Sequence, residues 1–321
     1  MKESLIKDKR VLVTGGAGVI GRELLKLLIG KGASIFSVDR QPLPKGDWAG
    51  VLHIQKDLAK DSLDELHDFQ PQIIFHLAAS FERSKESPEF WDINWHDNVL
   101  LSHRIVDLAK EMPDLEVLVF ASSYLVYSPS LYLSPSFRDV TYLKEDDRIA
   151  PRNLCGAAKH YTEEEIEFVK EVVNLSLRSI YARIFRVYGC GSRDVVSRWV
   201  RAALSGQDIE VYNKQNCFDF IFARDVAEGL LRLAESPNAE GAVNLGSGAA
   251  RSIQEVLDCI GENVGQLRIR DLGIKEPFEA SCADLTKLKQ MTGWAPPTRL
   301  EEGIKMIIEF EQNSAGQGVR Q

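Results

Sequence analysis

The chain has 321 residues, more than one compact domain usually needs, so two lobes are expected. With 44% hydrophobic and 27% charged residues it reads as a globular protein, and its net charge of −8 excludes a nucleic-acid backbone as the main partner, because that contact runs through basic patches. Five scattered cysteines without a C-x-x-C, six histidines without a ligand pattern, a charged N-terminus and no long apolar run predict a cytoplasmic protein with no metal and no membrane contact.

In chain order, β-rich apolar runs fall at 10–15 (RVLVTG), 33–39, 51–57, 71–79, 115–123 and 179–189. Helical patterns lie between them, from Gly18 onward and at 62–69, 89–112 and 155–173. Strands alternating with helices over this length predict an α/β fold with a parallel, doubly wound sheet, and runs such as IIFHLAA fit strands covered on both faces. After Gly189 four helical segments (DVVSRWVRAALSG, DVAEGLLRLAES, SIQEVLDCI, LEEGIKMIIEFEQ) and the short strands IEVY and FDFIF suggest a smaller second lobe. The expected division is 1–188, with 215–237 returning to it, then 189–312 as the second lobe and a disordered, apolar-poor tail at 313–321.

The segment VLVTGGAGVIG, residues 11–21, follows a strand and opens a helix. Glycines there permit a tight turn and let the backbone approach a pyrophosphate seated on the helix N-terminus. Asp39 closes the second strand, 18 residues past Gly21, where an acid is placed to bind a ribose 2′-hydroxyl. That carboxylate favours NAD, while Arg40 beside it keeps NADP open.

TGGAGVIG, KDL at 56–58, HLAA at 76–79, SSYLVY at 122–127, RVYG at 186–189 and NLGSG at 244–248 occur in one order. Together they resemble the extended short-chain dehydrogenase/reductases, specifically the NAD-dependent epimerase/dehydratase family acting on nucleotide sugars. The resemblance covers about residues 10–312. It implies a Rossmann domain with a C-terminal α/β lobe that holds the substrate nucleotide. It also implies an NAD site on Gly15, Gly18, Val19, Ile20, Gly21, Asp39 and Arg40, with Asp57 and Leu58 near the adenine, Leu77, Ala78 and Ala79 along the cofactor, and Lys159 beside it. A homodimer built on the 89–112 and 155–173 helices, through residues such as Trp91, Trp95, Val99, Ile166 and Val169, is implied as well.

The family's catalytic set is Ser or Thr, then Tyr-x-x-x-Lys. The Ser matches Ser123, and the segment CGAAK places Cys155 where the tyrosine belongs and Lys159 where the lysine belongs. A thiol has a reference pKa of about 8.5 against about 10 for a phenol, and a nearby lysine lowers it further, so acidity is no obstacle. Reach is: the sulfur ends roughly 3 to 4 Å short of a phenolic oxygen, and a misplacement of about 1 Å can cost ~10²-fold. Tyr124, Tyr127, His160 and Tyr161 are the nearby side chains that could substitute, with Tyr124 first among them. The resemblance further assigns Ser80, Ser123, Tyr124, Arg186, Arg193 and Lys275 to the substrate side. It also marks departures, with Arg186 where an Asn is usual and Phe218 where an Arg is usual.

Tyr124-Leu125 stands where 4,6-dehydratases carry Asp-Glu and decarboxylases carry a Glu, so an epimerase fits by exclusion. Two other readings stand beside it: a catalytically silent cofactor-binding protein, and a sugar-nucleotide reductase or dehydratase using Cys155 or Tyr124.

Overall fold

The computed structural model describes residues 4–81, 87–136, 139–273 and 277–318, with side chains described as far as residue 314. Seven parallel strands form the main sheet: β1 (Arg10–Thr14), β2 (Ser34–Asp39), β3 (Val51–Gln55), β4 (Ile73–His76), β5 (Val117–Ser123), β6 (Arg178–Ile184) and β7 (Gly241–Leu245). Their order is β7-β6-β5-β4-β1-β2-β3. Successive residues of a strand point to opposite faces. Thus Val117, Val119 and Ala121 of β5 join the core on one side, while Leu118 and Phe120 join the core on the other. The first core is closed by the Val19–Lys31 and Ala223–Glu235 helices, the second by the Asp64–Phe69, Leu101–Lys110 and Leu154–Val172 helices.

Two local features position the site. Asn153 caps the Leu154–Val172 helix by accepting from the Gly156 N–H at 2.9 Å, which fixes the turn carrying Cys155. The expected 89–112 helix is interrupted: Pro88–Asn94 and Leu101–Lys110 are α-helical, and Trp95–Leu100 between them is a π-helical turn. Such turns carry an extra residue and re-aim the side chains in them. Here Asp97 and Asn98 are turned into the protein.

The second lobe has its own core, built by residues such as Val196, Val200, Phe220, Leu257, Ile260, Ile304 and Ile307. Its small sheet pairs Cys217–Phe222 with Arg186–Tyr188 and Ala250–Ser252. Three expectations about segments are corrected. Gly241–Leu245, expected in the second lobe, is β7 and pairs with β6 through Val243 and Ala182; a five-residue run holding a polar Asn is too short a signal, and Asn244 is buried only because the Tyr127 hydroxyl (2.7 Å) and the Leu143 carbonyl (2.8 Å) satisfy it. Of the returning segment 215–237, Ile221 and the Ala223–Glu235 helix join the core of the main sheet, whereas Phe218, Phe220 and Phe222 belong to the core of the second lobe. The 313–318 stretch is not irregular, because the last helix runs Leu300–Gly318, propagated from an anchored apolar face with Ser314 donating to the Phe310 carbonyl at 2.8 Å; residues 319–321 lie outside the described residues.

Candidate active site

β1 and β4 are neighbours, and the chain leaves them toward opposite edges of the sheet, which opens a crevice at their carboxyl ends. The turn after β1 fits closely against the segment after β4. Gly15 has φ +77°, and a Cβ there would lie 2.7 Å from the Ala78 nitrogen. A Cβ on Gly21 would lie 2.2 Å from the Gly15 carbonyl oxygen. Gly18 is the N-cap of the Val19–Lys31 helix and offers no side chain to its first-turn N–H groups, which leaves them for an anion.

The crevice is lined by Gly15, Gly18, Asp39, Arg40, Leu58, Leu77, Ala78 and Ala79, all expected, and also by Lys56, Asp97 and Leu101. Of the other expected cofactor residues, Ile20 packs against the core and Gly21 is consumed in the turn itself. Val19 forms the first helical position. Asp57 directs its carboxylate to the Ala59 N–H at 3.0 Å and to Lys60 at 3.6 Å. Asp39 accepts from the Ala17 N–H at 3.1 Å and the Gln41 N–H at 2.9 Å, so its carboxylate is anchored at the crevice mouth.

Ser123 ends β5, its Oγ accepting from the Leu125 N–H at 3.2 Å. Cys155 is buried, with Sγ 3.8 Å from the Ser80 carbonyl and 3.9 Å from Asn98 Nδ2. Asn98 grips Ser80 at both ends, accepting from its N–H and donating to its carbonyl, each at 2.8 Å. The Leu77–Ala79 lining of the crevice therefore continues directly into the wall around the thiol.

One helical turn on, Lys159 places Nζ 4.6 Å from the centroid of the Phe120 ring. Burial lowers its pKa to about 8, against the opposing pull of Cys155 and Glu163. A further turn on, Glu163 is buried against the sheet, held by Arg183 at 2.8 and 3.1 Å and by the Ser122 hydroxyl. Burial pushes the Glu163 carboxyl up, but His160, 3.9 Å away, and the hydrogen-bonded Arg183 outweigh it and leave the pKa below the usual value. On the neighbouring strand His76 is enclosed between the Thr14 (2.7 Å) and Ser102 (3.0 Å) hydroxyls, and burial holds its pKa down to about 3, so it is neutral.

Tyr124 is not brought to this group as a titrating phenol. Its hydroxyl donates to Glu279 Oε1 at 3.0 Å, its ring stacks on Phe185 at 5.0 Å, and burial drives its pKa far above the phenol range. Tyr127 is likewise buried and bonded to Asn244, and Tyr161 is exposed. Arg186 pairs with Glu279 at 3.2 Å and lies 3.8 Å over the Phe218 ring, and Arg152 reaches the same carboxylate oxygen at 2.5 Å. Burial opposes the Glu279 charge, yet these two guanidiniums hold its pKa below the ordinary value. Arg193 is exposed, and Lys275 lies outside the described residues. Sequence reasoning missed Arg152, Asp97, Asn98 and Glu279; an acid inside the apolar FEASCA run was the one available signal for the last.

The profile of the NAD dependent epimerase/dehydratase family matches residues 11–246. The chain belongs to that family. Among similar proteins, a putative UDP-glucose 4-epimerase of Methanocaldococcus jannaschii is 27% identical over 95% of this chain and 99% of its own length. A UDP-N-acetyl-alpha-D-glucosaminuronate decarboxylase of Bacillus cytotoxicus is 29% identical over 94% of this chain and 97% of its own. The solved structure of MoeE5 in complex with UDP-glucuronic acid and NAD superposes with a TM-score of 0.82 at 29% identity, covering 95% and 99% of the two chains.

This epimerase/dehydratase family enzyme uses NAD. The residues present fit that cofactor: the glycine cradle, whose Cβ positions would collide, leaves an open helix N-terminus for the pyrophosphate, and the anchored Asp39 suits a ribose hydroxyl. Among the described residues no group of three or more His, Cys, Asp or Glu side chains could hold a metal ion, and no helix is long and apolar enough to cross a membrane.

Proposed function

We propose that the protein is a cytoplasmic nucleotide-sugar epimerase, or a close relative, that passes hydride to and from a tightly held NAD with Cys155 as the altered acid/base. The observation that carries this reading is the continuity of Leu77–Ala79, Ser80 and Cys155, which sets the thiol beside the wall of the cofactor crevice. NAD supplies the hydride acceptor and donor. The chain must take a hydroxyl proton from the sugar carbon that loses hydride and later return it. Cys155 as thiolate, stabilised by Lys159, would hold that proton on sulfur, and Ser123 would orient the hydroxyl. The shortfall in reach calls for one bridging water or a sugar seated closer to the helix.

A UDP-sugar is the proposed substrate, supported by the relatives' names. Ser80 and Ser123 would meet the sugar, Tyr124 would serve through its bond to Glu279, and Arg193, with Lys275, is the proposed cation for the diphosphate. Arg186, already shared with Glu279, would serve through that network. The enzyme would act as a homodimer, because a groove between the Leu101–Lys110 and Leu154–Val172 helices is lined by Val106, Tyr161, Phe168 and Val169, and Trp91 and Trp95 are exposed. Ile166 has no part in that surface, being fully buried in the core.

The burial of Cys155, with no phenol in its place, favours a second reading, a silent NAD-binding family member. Incubating the NAD-loaded protein with UDP-glucose, UDP-glucuronic acid and UDP-N-acetylglucosamine separates the two. Epimerised product in the wild type and its loss in Cys155→Ala support the enzyme reading, whereas no product with any sugar supports the silent one.

A further inference from the structure

Three polar side chains that line the cofactor crevice carry charge near the anchored Asp39, and their partners are specific. Lys56 is engaged by Glu65 and by the Ser62 carbonyl at 2.7 Å. Arg40, the residue beside Asp39, is gripped in a fork by Asp97: Nη1 to Oδ1 at 3.1 Å and Nη2 to Oδ2 at 2.8 Å. Ser80 completes the fork by donating its hydroxyl to Asp97 Oδ2 at 2.5 Å. Asp97 is itself buried and held in the π-helical turn, so it is the fixed member of the pair, while the Arg40 side chain remains 48% exposed.

A guanidinium next to the second-strand acid is the group that accommodates a 2′-phosphate in NADP-binding sites. A bidentate carboxylate occupies the same fork of N–H donors that a phosphate needs. We propose that Asp97 is a specificity-determining residue: by occupying the Arg40 fork it prevents this enzyme from recruiting Arg40 to a 2′-phosphate, and so reinforces the choice of NAD made by Asp39. Asp97 acts through Arg40 and need not touch the cofactor. This rests on the crevice being the NAD site.

The test is isothermal titration of the purified full-length protein with NAD and with NADP, for the wild type, Asp97→Asn, Arg40→Met and the double variant. Asp97→Asn frees the fork, and the ratio of NADP to NAD affinity is expected to rise at least tenfold. The double variant is expected to lose that gain, because the gain passes through Arg40. Arg40→Met alone is expected to weaken NADP further relative to NAD, since the Asp97 carboxylate then stands uncompensated near the 2′-position. A ratio within twofold of wild type in a folded Asp97→Asn protein overturns the proposal, as does a gain that survives in the double variant. Should Asp97→Asn not fold, Arg40→Met decides alone, and improved NADP binding there overturns the proposal. Failure of wild type to bind NAD at all would instead strike at the assignment of the crevice.

Discussion

Tyr124 and Glu279 are 155 residues apart in sequence, and the hydroxyl of the first donates to the carboxylate of the second at 3.0 Å. That bond ties the turn after β5 to the strand Phe278–Glu279, and both groups are buried. Tyr124→Phe should therefore act on structure. The carboxylate keeps Arg152, Arg186 and Ser281, so the loss is about 1 kcal/mol, read from the urea midpoint. The pH profile of kcat should keep its shape. A collapse of activity in Tyr124→Phe with normal stability would transfer the acid/base role from Cys155 to Tyr124.

Cys155→Ala should abolish epimerisation, a fall of ~10²-fold or more, while NAD binding measured by calorimetry stays within threefold. Cys155→Tyr tests the geometry differently. If the pocket lacks only its phenol, the variant gains transient NADH absorbance with a UDP-sugar. If the wall of Ser80 and Asn98 is shaped to the thiol, the ring overfills it, and both stability and turnover fall.

Lys159 carries a pH signature. Its pKa of about 8 in the folded protein lies below the 10.5 of a solvated lysine. Between these values the unfolded chain binds more protons than the folded one, so this group makes stability rise with pH across that window. At and below about pH 8 the full cost of burying the charge is present. Lys159→Met should accordingly gain most over wild type near pH 7.5 and least near pH 10.5. Equal differences at the two pH values, by urea denaturation, would refute the burial account.

The glycine turn predicts an ordering among variants. Gly21→Ala drives a methyl to within 2.2 Å of the Gly15 carbonyl and should cost about 1–3 kcal/mol, with loss of NAD binding. Gly18→Ala meets that carbonyl at only 3.1 Å, so its stability cost is smaller. A bulky residue at Gly18 should abolish NAD binding by covering the helix N-terminus while the fold survives. Differential scanning fluorimetry with and without NAD checks both.

Light scattering should report a mass about twice the 36.0 kDa of one chain. Phe168, 62% exposed beside the interhelical groove, is the position to break it: Phe168→Glu should give a monomer with unchanged far-UV spectrum. A wild-type mass of one chain would remove the dimer from the proposed function.

What the sequence by itself determined were features written in short-range order. Alternation of apolar runs predicts six of the seven strands of the sheet, because strand and helix periods are local properties. The glycine turn and Asp39 were legible for the same reason, since a tight turn and an acid closing the next strand lie within one βαβ unit. The Ser123, Cys155 and Lys159 positions are what the family resemblance implies, carried by motifs of a few residues each. Only the tertiary structure decided the partners. Glu279 finds Arg152 and Arg186, Asp97 finds Arg40, and Asn98 links Ser80 to Cys155, through side chains drawn from separate elements. The π-helical turn that aims Asp97 and Asn98 inward leaves no mark on an amphipathic pattern. β7 needed the edge of β6 to become a strand, and Tyr124 needed Glu279, far along the chain, to satisfy its buried phenol. Such pairings depend on burial and on which chain segments meet, quantities that no local window of sequence contains.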